Sequence, residues 1–221
     1  MSTILPSLRA GTPADLSRYV AGQLDHLLPN GSLSDDLTAL REVMDGTLAR
    51  MHPILSVVRN FEPNRFDHFN SLQYSTFLYI LANEYWRVGG ERTLADRLFF
   101  LNRALNAIDL FYSVQMPEIF FISHGLSAVL GNAVYDNHLV FFQSVTVGRL
   151  GDARPQLGRN VILYPGATVT GRSVIGDNCV VSAGTVIHNC DIPDDTIVSQ
   201  RGGDLIFKRR TRNFMELYFR K

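Results

Sequence analysis

From Leu157 onward the chain repeats every six residues, as LGRNVI, LYPGAT, VTGRSV, IGDNCV, VSAGTV and IHNCDI. Leu157, Leu163, Val169, Ile175, Val181 and Ile187 hold the first position of each unit; Val161, Ala167, Ser173, Cys179, Thr185 and Asp191 hold the fifth. A helix spaces apolar residues near 3.6 and a half-buried strand alternates them, so a sustained period of six fits neither. Such a repeat makes the chain coil regularly, each unit burying its apolar face on its neighbours. Six residues suffice for one short strand and a turn. Three units return the chain to its starting side, and each side of the prism becomes a stack of parallel strands. First and fifth positions point inward, and Asn132, Asn137, Asn160 and Asn178 fall at corners, where asparagine tolerates a left-handed backbone.

The spacing runs backward through Val147, Phe141, Tyr135 and Val129, with Val145, Leu139, Ala133 and Ser127 as fifth positions. Between Val147 and Leu157 the step is ten rather than six, so about four residues leave the coil as a loop around Arg149 to Pro155. Loops on a rigid scaffold are where recognition chemistry concentrates.

Ahead of the repeat the period is helical. Thr12-Pro13-Ala14-Asp15 reads as an N-cap, a first-turn proline and an acidic third position. A second helix begins at Ser32 with Asp35, a third runs from Ser71 to about Val88 before Gly89-Gly90, and a fourth from Thr93 to about Ile108. His26, His52 and His68 are isolated and are read as surface or capping residues. The fold class is therefore α+β, with an α-helical domain over 1–112, a β-helix over 113–200 and a basic C-terminal tail over 201–221.

The 221 residues carry 21 basic and 21 acidic side chains, a balance that argues against a broad nucleic-acid surface. Cys179 and Cys190 have no ligand or redox spacing, so no metal site is expected, and Cys179 takes an inward position. The start, MSTILPSLRAGTPADL, lacks the apolar run of a signal peptide, and no stretch reaches the roughly 18 apolar residues of a membrane span. The expectation is a cytoplasmic protein without membrane insertion.

With the hexapeptide units, His124 in SHGLSAVLG, FQSVTVG at 142–148 and GDARP at 151–155, the chain resembles the serine O-acetyltransferases of the hexapeptide-repeat acyltransferase superfamily. The similarity is strongest over about 114–200; the helical half, with YWRVGGERTLADRLFFLNR, is similar in layout. The resemblance implies a left-handed β-helix, a homotrimer with acetyl-CoA as donor substrate in the groove between prisms, and in some members a dimer of trimers joined through the helical domain.

It also implies roles. His124 stands between Ser123, expected inward, and a turn at Gly125, so its ring is expected to face outward; imidazole titrates near neutrality, which suits a general base. His124 matches the family's general-base histidine. The family carries an aspartate just before it, where this chain has Ser123, and a second histidine in a GDRHP-like loop segment, where this chain has Arg154. Arginine stays charged and cannot serve as a base near neutrality, but binds a carboxylate, a phosphate or the thioester oxygen. Ser123, Asp152 and Arg154 are thus candidates for acceptor binding. Gln143, Ser144 and Gly148, with Ala183, Gly184, Arg201 and Lys208, are candidates for binding the donor. Gln200-Arg201-Gly202-Gly203 stands where relatives have a GVPA-like turn. Lys208, Arg209 and Arg210 either meet the phosphates of CoA or form a solvated tail. Asp109 and Glu118 precede His124, register places neither as the acid that orients it, Glu118 reads first as an ordinary exposed residue, and His138 and His188 are read as surface or interface residues.

These features point to an acetyl-CoA-dependent O-acetyltransferase whose acceptor is serine, a sugar or another small hydroxyl compound. The alternatives are an N-acyltransferase of a nucleotide-linked amino sugar and a catalytically inactive β-helix scaffold.

Overall fold

The computed structural model describes residues 4–220, so the first three residues of the segment read for a leader lie outside it. The chain divides into two compact units that meet in sequence at Asn106 and Ala107.

In the first unit, strand β1 (Ser7–Leu8) precedes helices α1 (Pro13–Leu27) and α2 (Leu33–Val57). Strand β2 (Arg65–Phe66) pairs in parallel with β1 and is followed by α3 (Ser71–Arg87) and α4 (Arg92–Asn106). The start of α1 is a reciprocal capping box: the Asp15 amide donates to Thr12 Oγ1 at 3.2 Å and the Thr12 amide to Asp15 Oδ2 at 2.9 Å. Ser32 makes no such side-chain cap. Helix α4 stops two residues short of expectation because Ala107 takes φ of +51°. The core is leucine-rich, with Leu16, Leu24, Leu40, Leu48, Leu81 and Leu98 fully buried. Arg97 crosses it to Asp36 at 2.5 Å and donates through Nε to the Leu28 carbonyl. His68 departs from the surface role expected of it. Only 8% exposed, it lies 4.7 Å from the Tyr19 ring and 4.2 Å from Phe69, and burial holds its pKa below the ordinary histidine value.

The second unit is the prism. Its strands are β3 (Asp109–Leu110), β4 (Phe120–Ile122), β5 (Val129–Leu130), β6 (Val134–Tyr135), β7 (Leu139–Phe141), β8 (Thr146–Gly148) and β9 (Gln156–Leu157). They continue as β10 (Ile162–Leu163), β11 (Thr168–Thr170), β12 (Val174–Ile175), β13 (Val180–Val181), β14 (Val186–His188), β15 (Thr196–Arg201) and β16 (Asp204–Arg209). Three sheets form three faces. Face I stacks β4, β7, β10, β13, β15 and β16; face II stacks β3, β5, β8, β11 and β14; face III stacks β6, β9 and β12. Every pairing within the prism's coils is parallel, and only β16 runs antiparallel. The chain passes from face I to II to III, turning at three seams.

Inside, Phe141, Val147, Leu157, Leu163, Val169, Ile175, Val181 and Ile187 are at most 2% exposed, as the period requires. Along the seam between faces I and II the fifth-position column is Ala128, Val145, Ala167 and Thr185, all fully buried. The backward extrapolation is corrected by one residue at its far end. Leu130 and Ala128 point inward, while Val129 is 42% exposed and Ser127 lies on the surface. The coil takes only five residues from Leu130 to Tyr135, and the shortened corner needs Gly131, whose added Cβ would sit 2.9 Å from the Val147 carbonyl oxygen.

The segment expected as a basic tail folds back. After Gly202-Gly203 the chain returns as β16, then turns through a 3-10 helix at Phe214–Leu217. Tyr218 lies beside Phe121, with ring centroids 6.3 Å apart, and Phe219 stands edge-on to His138 at 5.1 Å. The reason is visible on face I: Phe121, Val140, Ile162 and Val180 alternate outward yet are at most 3% exposed, whereas outward Val129, Val134, Val174 and Val186 of the other faces are 38–46% exposed. Covering an apolar column of this size is worth about 1.5–3 kcal/mol per large side chain.

Two predictions follow from this packing. Thr185 Oγ1 is buried without a hydrogen-bond partner, a state that costs about 1–3 kcal/mol. Thr185→Val, nearly isosteric, is expected to raise the urea midpoint at unchanged slope, by about 1 kcal/mol. Burial, then the Arg159 charge, holds the His138 pKa below its ordinary value of 6.5, against the opposing pull of Glu118. A depressed folded pKa means that the unfolded chain binds the proton more readily, so stability falls as pH drops below about 6.5 and levels off below the folded value. His138→Gln should flatten that part of the stability-versus-pH curve, which chemical denaturation at stepped pH would measure.

Candidate functional site

The seam between faces I and II is not uniform. In three successive coils the step from the inward residue ending face I to the next inward residue is four: Phe141 to Val145, Leu163 to Ala167, and Val181 to Thr185. In the first coil the step from Ile122 to Ala128 is six. The two additional residues raise a small bulge, closed by the Leu126 amide on the His124 carbonyl at 2.8 Å and by the Ala128 amide on the Gly125 carbonyl at 3.1 Å. His124 occupies this bulge, exposed, with φ of +53°. That region is sparsely populated by residues other than glycine. Its carrier is therefore a locally strained histidine on a rigid corner, the kind of position at which function concentrates.

The turn below it has no slack. A Cβ on Gly125 would lie 2.4 Å from Ile122 Cγ2 and 3.5 Å from Ile108 Cδ1. Ser123 is 6% exposed. By pairing register it follows inward Ile122 as Phe142 follows Phe141, so it belongs to the outward column, covered by neighbours rather than by the prism wall.

Above His124 the seam continues through four residues singled out in the sequence. The Ser144 amide donates to the Leu126 carbonyl at 2.9 Å, the Gly166 amide to Gln143 at 3.0 Å, and the Gly184 amide to Pro165 at 2.9 Å. His124, Gln143, Ser144, Ala183 and Gly184 thus lie on one line parallel to the prism axis. Gln143 Oε1 is buried there without a hydrogen-bond partner. Arg201 joins the line at its far end: Val198 pairs with Val181, the last residue of β13, so Ser199–Arg201 run on beside the seam, and Gln200 Oε1 accepts from the Val186 amide at 3.2 Å.

The other candidates stand elsewhere on the prism. Gly148 ends β8 at the opposite margin of face II, and the loop with Asp152 and Arg154 leaves from there. That loop is a tight turn, in which Leu150 and Ala153 exchange amide-to-carbonyl bonds of 2.8 and 3.1 Å, with Asp152 and Arg154 exposed. From Ser144 to Arg149 the chain crosses face II, about 15 Å at strand rise. Lys208 pairs with Ile197 near the start of β15 and so lies across face I from Arg201.

The two acids that precede His124 in sequence lie apart in the fold. Asp109 opens β3 beneath β5, and its amide donates to Ala128 at 2.8 Å, at the foot of the His124 seam. Glu118 lies across face I, where its charge acts on His138. The sequence reading also missed an aromatic group beside the seam. Phe142 stacks on Tyr164 at 5.2 Å, Tyr218 stands edge-on to Phe142 at 6.0 Å, and the Tyr218 hydroxyl donates to that of Tyr164 at 3.2 Å. Burial and that contact raise the Tyr218 pKa well above the usual phenol range. The positions of Phe142 and Tyr164 just past the inward residues were readable; the arrival of Tyr218 from the chain end was not.

Comparison with known proteins bears on the fold. Residues 154–189 match the bacterial transferase hexapeptide (six repeats) model. The chain is 31% identical over 120 residues to serine acetyltransferase of Synechococcus elongatus, covering 52% of this chain and 49% of that protein. It is 27% identical over 135 residues to the serine acetyltransferase of Staphylococcus xylosus, covering 58% and 62%. The matches thus span about half of the first protein's length and three-fifths of the second's. Among solved structures, Neisseria gonorrhoeae serine acetyltransferase aligns with a TM-score of 0.70 at 19% identity, covering 90% of this chain and 80% of that one. Soybean serine acetyltransferase complexed with serine aligns at 0.67 and 22%, covering 89% and 84%. The chain has the serine acetyltransferase-like fold, a helical bundle followed by a hexapeptide-repeat prism. Among the described residues no helix is long and apolar enough to cross a membrane.

The close packing under His124 yields a coupling test. Gly125→Ala is expected to cost about 1–3 kcal/mol through overpacking. Combined with Ile122→Ala, which opens space for the new methyl group, the loss should be smaller than the sum of the two single losses, as a denaturation double-mutant cycle would read.

Proposed function

We propose that this protein is an acetyl-CoA-dependent O-acetyltransferase that acetylates a hydroxyl of a small acceptor, with His124 as general base. The observation that carries the reading is the bulge that lifts His124 out of an otherwise regular seam, on the line that holds the unpartnered Gln143 acceptor. Resemblance to serine acetyltransferases supports the reaction class.

The residues present suit such a donor. Pantetheine is a chain of amides, and the Gln143 Oε1 is an acceptor in need of an N–H. Arg201 at the far end of the line offers a cation for the phosphate end of CoA. His124 takes the proton from the acceptor hydroxyl as its oxygen bonds to the acetyl carbon. It then returns that proton to the departing sulfur, so the products are an acetyl ester and free CoA. Asp109, below the seam, acts as the positioning carboxylate that sets the tautomer of His124.

Arg154 and His124 stand at opposite margins of face II, so a single prism does not unite them. In our reading the working enzyme is a homotrimer, and the Arg149 to Pro155 loop of one copy reaches the His124 seam of the next, where Arg154 with Asp152 binds the acceptor. Ser123 and Arg154, where the family has aspartate and histidine, leave both serine and a sugar as acceptors.

Free CoA release from acetyl-CoA, measured across serine, homoserine and nucleotide-linked sugars, tests the proposal. His124→Ala should lower kcat/KM for the preferred acceptor by about 10²–10⁴-fold, and activity untouched by it would sink the mechanism. An alkali-stable product would point to N-acylation, and absence of CoA binding by calorimetry to a scaffold. Asp109→Asn should lower kcat and shift the pH profile while leaving donor affinity in place. Mixed oligomers of His124→Ala and Arg154→Ala should regain activity beyond either variant alone, because some interfaces then carry both intact residues.

A further inference from the structure

The seam between faces III and I, on the far side of face I from His124, is built differently. Its corner residues Asn160, Asn178 and Asp195 all have φ between +54° and +58°. Their side chains form a directed ladder: Asn160 Nδ2 donates to Asn178 Oδ1 at 2.9 Å, and Asn178 Nδ2 to Asp195 Oδ1 at 3.1 Å. Each asparagine spends one amide hydrogen on the next rung and keeps a second. Against the ladder, the chain leaving β16 opens a cavity of about 350 Å³, lined by these three residues together with Arg210, Arg212 and Asn213.

Arg210 is the unusual member. It is 9% exposed, and among the described residues no carboxylate lies within ion-pair distance of it, whereas the buried guanidinium of Arg97 has Asp36 at 2.5 Å. Its guanidinium carbon lies 5.5 Å from the Phe214 ring centroid, and its side-chain hydrogen bonds go to neutral oxygens: the Arg212 carbonyl at 2.9 Å from Nε, and at 3.4 Å each the Asn160 carbonyl and Asn213 Oδ1. Two of the three are at the long limit. Asn213 Oδ1 is in addition the acceptor that caps the Met215 amide. A buried guanidinium without a paired anion is costly, on the order of several kcal/mol before compensation. Asp195 supplies a field at longer range, and its Oδ1 is engaged by Asn178. The lining therefore offers two cations against one carboxylate, with amide donors converging on a space in the size range of small-ligand sites.

We infer that this cavity is a binding site for a small oxyanion, a carboxylate or a phosphate group, held by Arg210 and Arg212 with amide hydrogens of Asn160 and Asn178. The guanidinium fork and the planar amides suit a trigonal or tetrahedral oxyanion. An occupant would brace the turn Arg210 to Asn213 and so the segment that carries Tyr218 to Phe142 and Tyr164. The inference does not rest on the acetyl-transfer reading.

Calorimetric titration of the full chain with inorganic phosphate and with succinate, at constant ionic strength in chloride and with glycerol as neutral control, tests it. Saturable binding of phosphate identifies a phosphate site and of succinate a carboxylate site. Either should be lost in Arg210→Gln and weakened at least tenfold in Arg212→Ala, whose exposed side chain can be removed without opening the core, and both should persist in His124→Ala. No saturable binding to the parent chain, or equal binding by a folded Arg212→Ala, would overturn the inference.

Discussion

The main-chain hydrogen bonds between successive coils impose the constraint on which everything else in the prism rests. Val140 donates to Val161, Ile162 to Cys179 and Thr168 to Thr185, all between 2.9 and 3.0 Å. Because side chains alternate along each strand, a slip of one residue would turn an entire inward column toward solvent. Insertions are therefore tolerated only where the chain turns and can rejoin in register. The coil absorbs three such changes, all at seams: two residues gained at His124, one lost at Gly131, and four gained between Gly148 and Gln156. Two of these three carry the residues to which a function is assigned.

That constraint also explains what could be read without coordinates. The columns from Phe141 to Ile187 were legible because each inward position is decided by size and polarity alone. Among first positions the backward period is one residue out only at Val129, since Val129 and Leu130 are equally apolar and only the short turn at Gly131 chooses between them. Among the candidate site residues, His124, Gln143, Ser144, Ala183, Gly184 and Arg201 fall on one seam. Gly148, Asp152 and Arg154 fall on a second, and Lys208 lies across face I. Sequence spacing reports the order of corners but not which corner a ligand would use. The choice between Asp109 and Glu118 had the same character: both precede His124, and only the stacking of β3 beneath β5 separates them.

Long-range closure was the least legible. Arg210, Phe219 and Tyr218 look like members of a solvated basic tail, and nothing local indicates that they fold onto face I. The signal was indirect. Phe121, Val140, Ile162 and Val180 form an outward column with no polar residue in it, and such a column demands a cover. His68 is buried for a related reason: Tyr19, whose ring lies 4.7 Å from it, arrives from α1, far from it in sequence.

The hairpin of β15 and β16 has a further physical meaning. A stack of parallel strands ends in a row of unpaired amides and carbonyls, which is a template for any extended chain that drifts past. On face I that row belongs to β16, the outermost strand of the largest sheet, and its strand direction is opposite to every strand beneath it. A parallel coil from another molecule therefore meets no continuation of the lattice there. Lys208 and Arg209 stand exposed along the same strand, where like charges on two approaching copies repel. Exposed charges along an outermost strand are one of the physical devices that disfavour edge-to-edge pairing of copies.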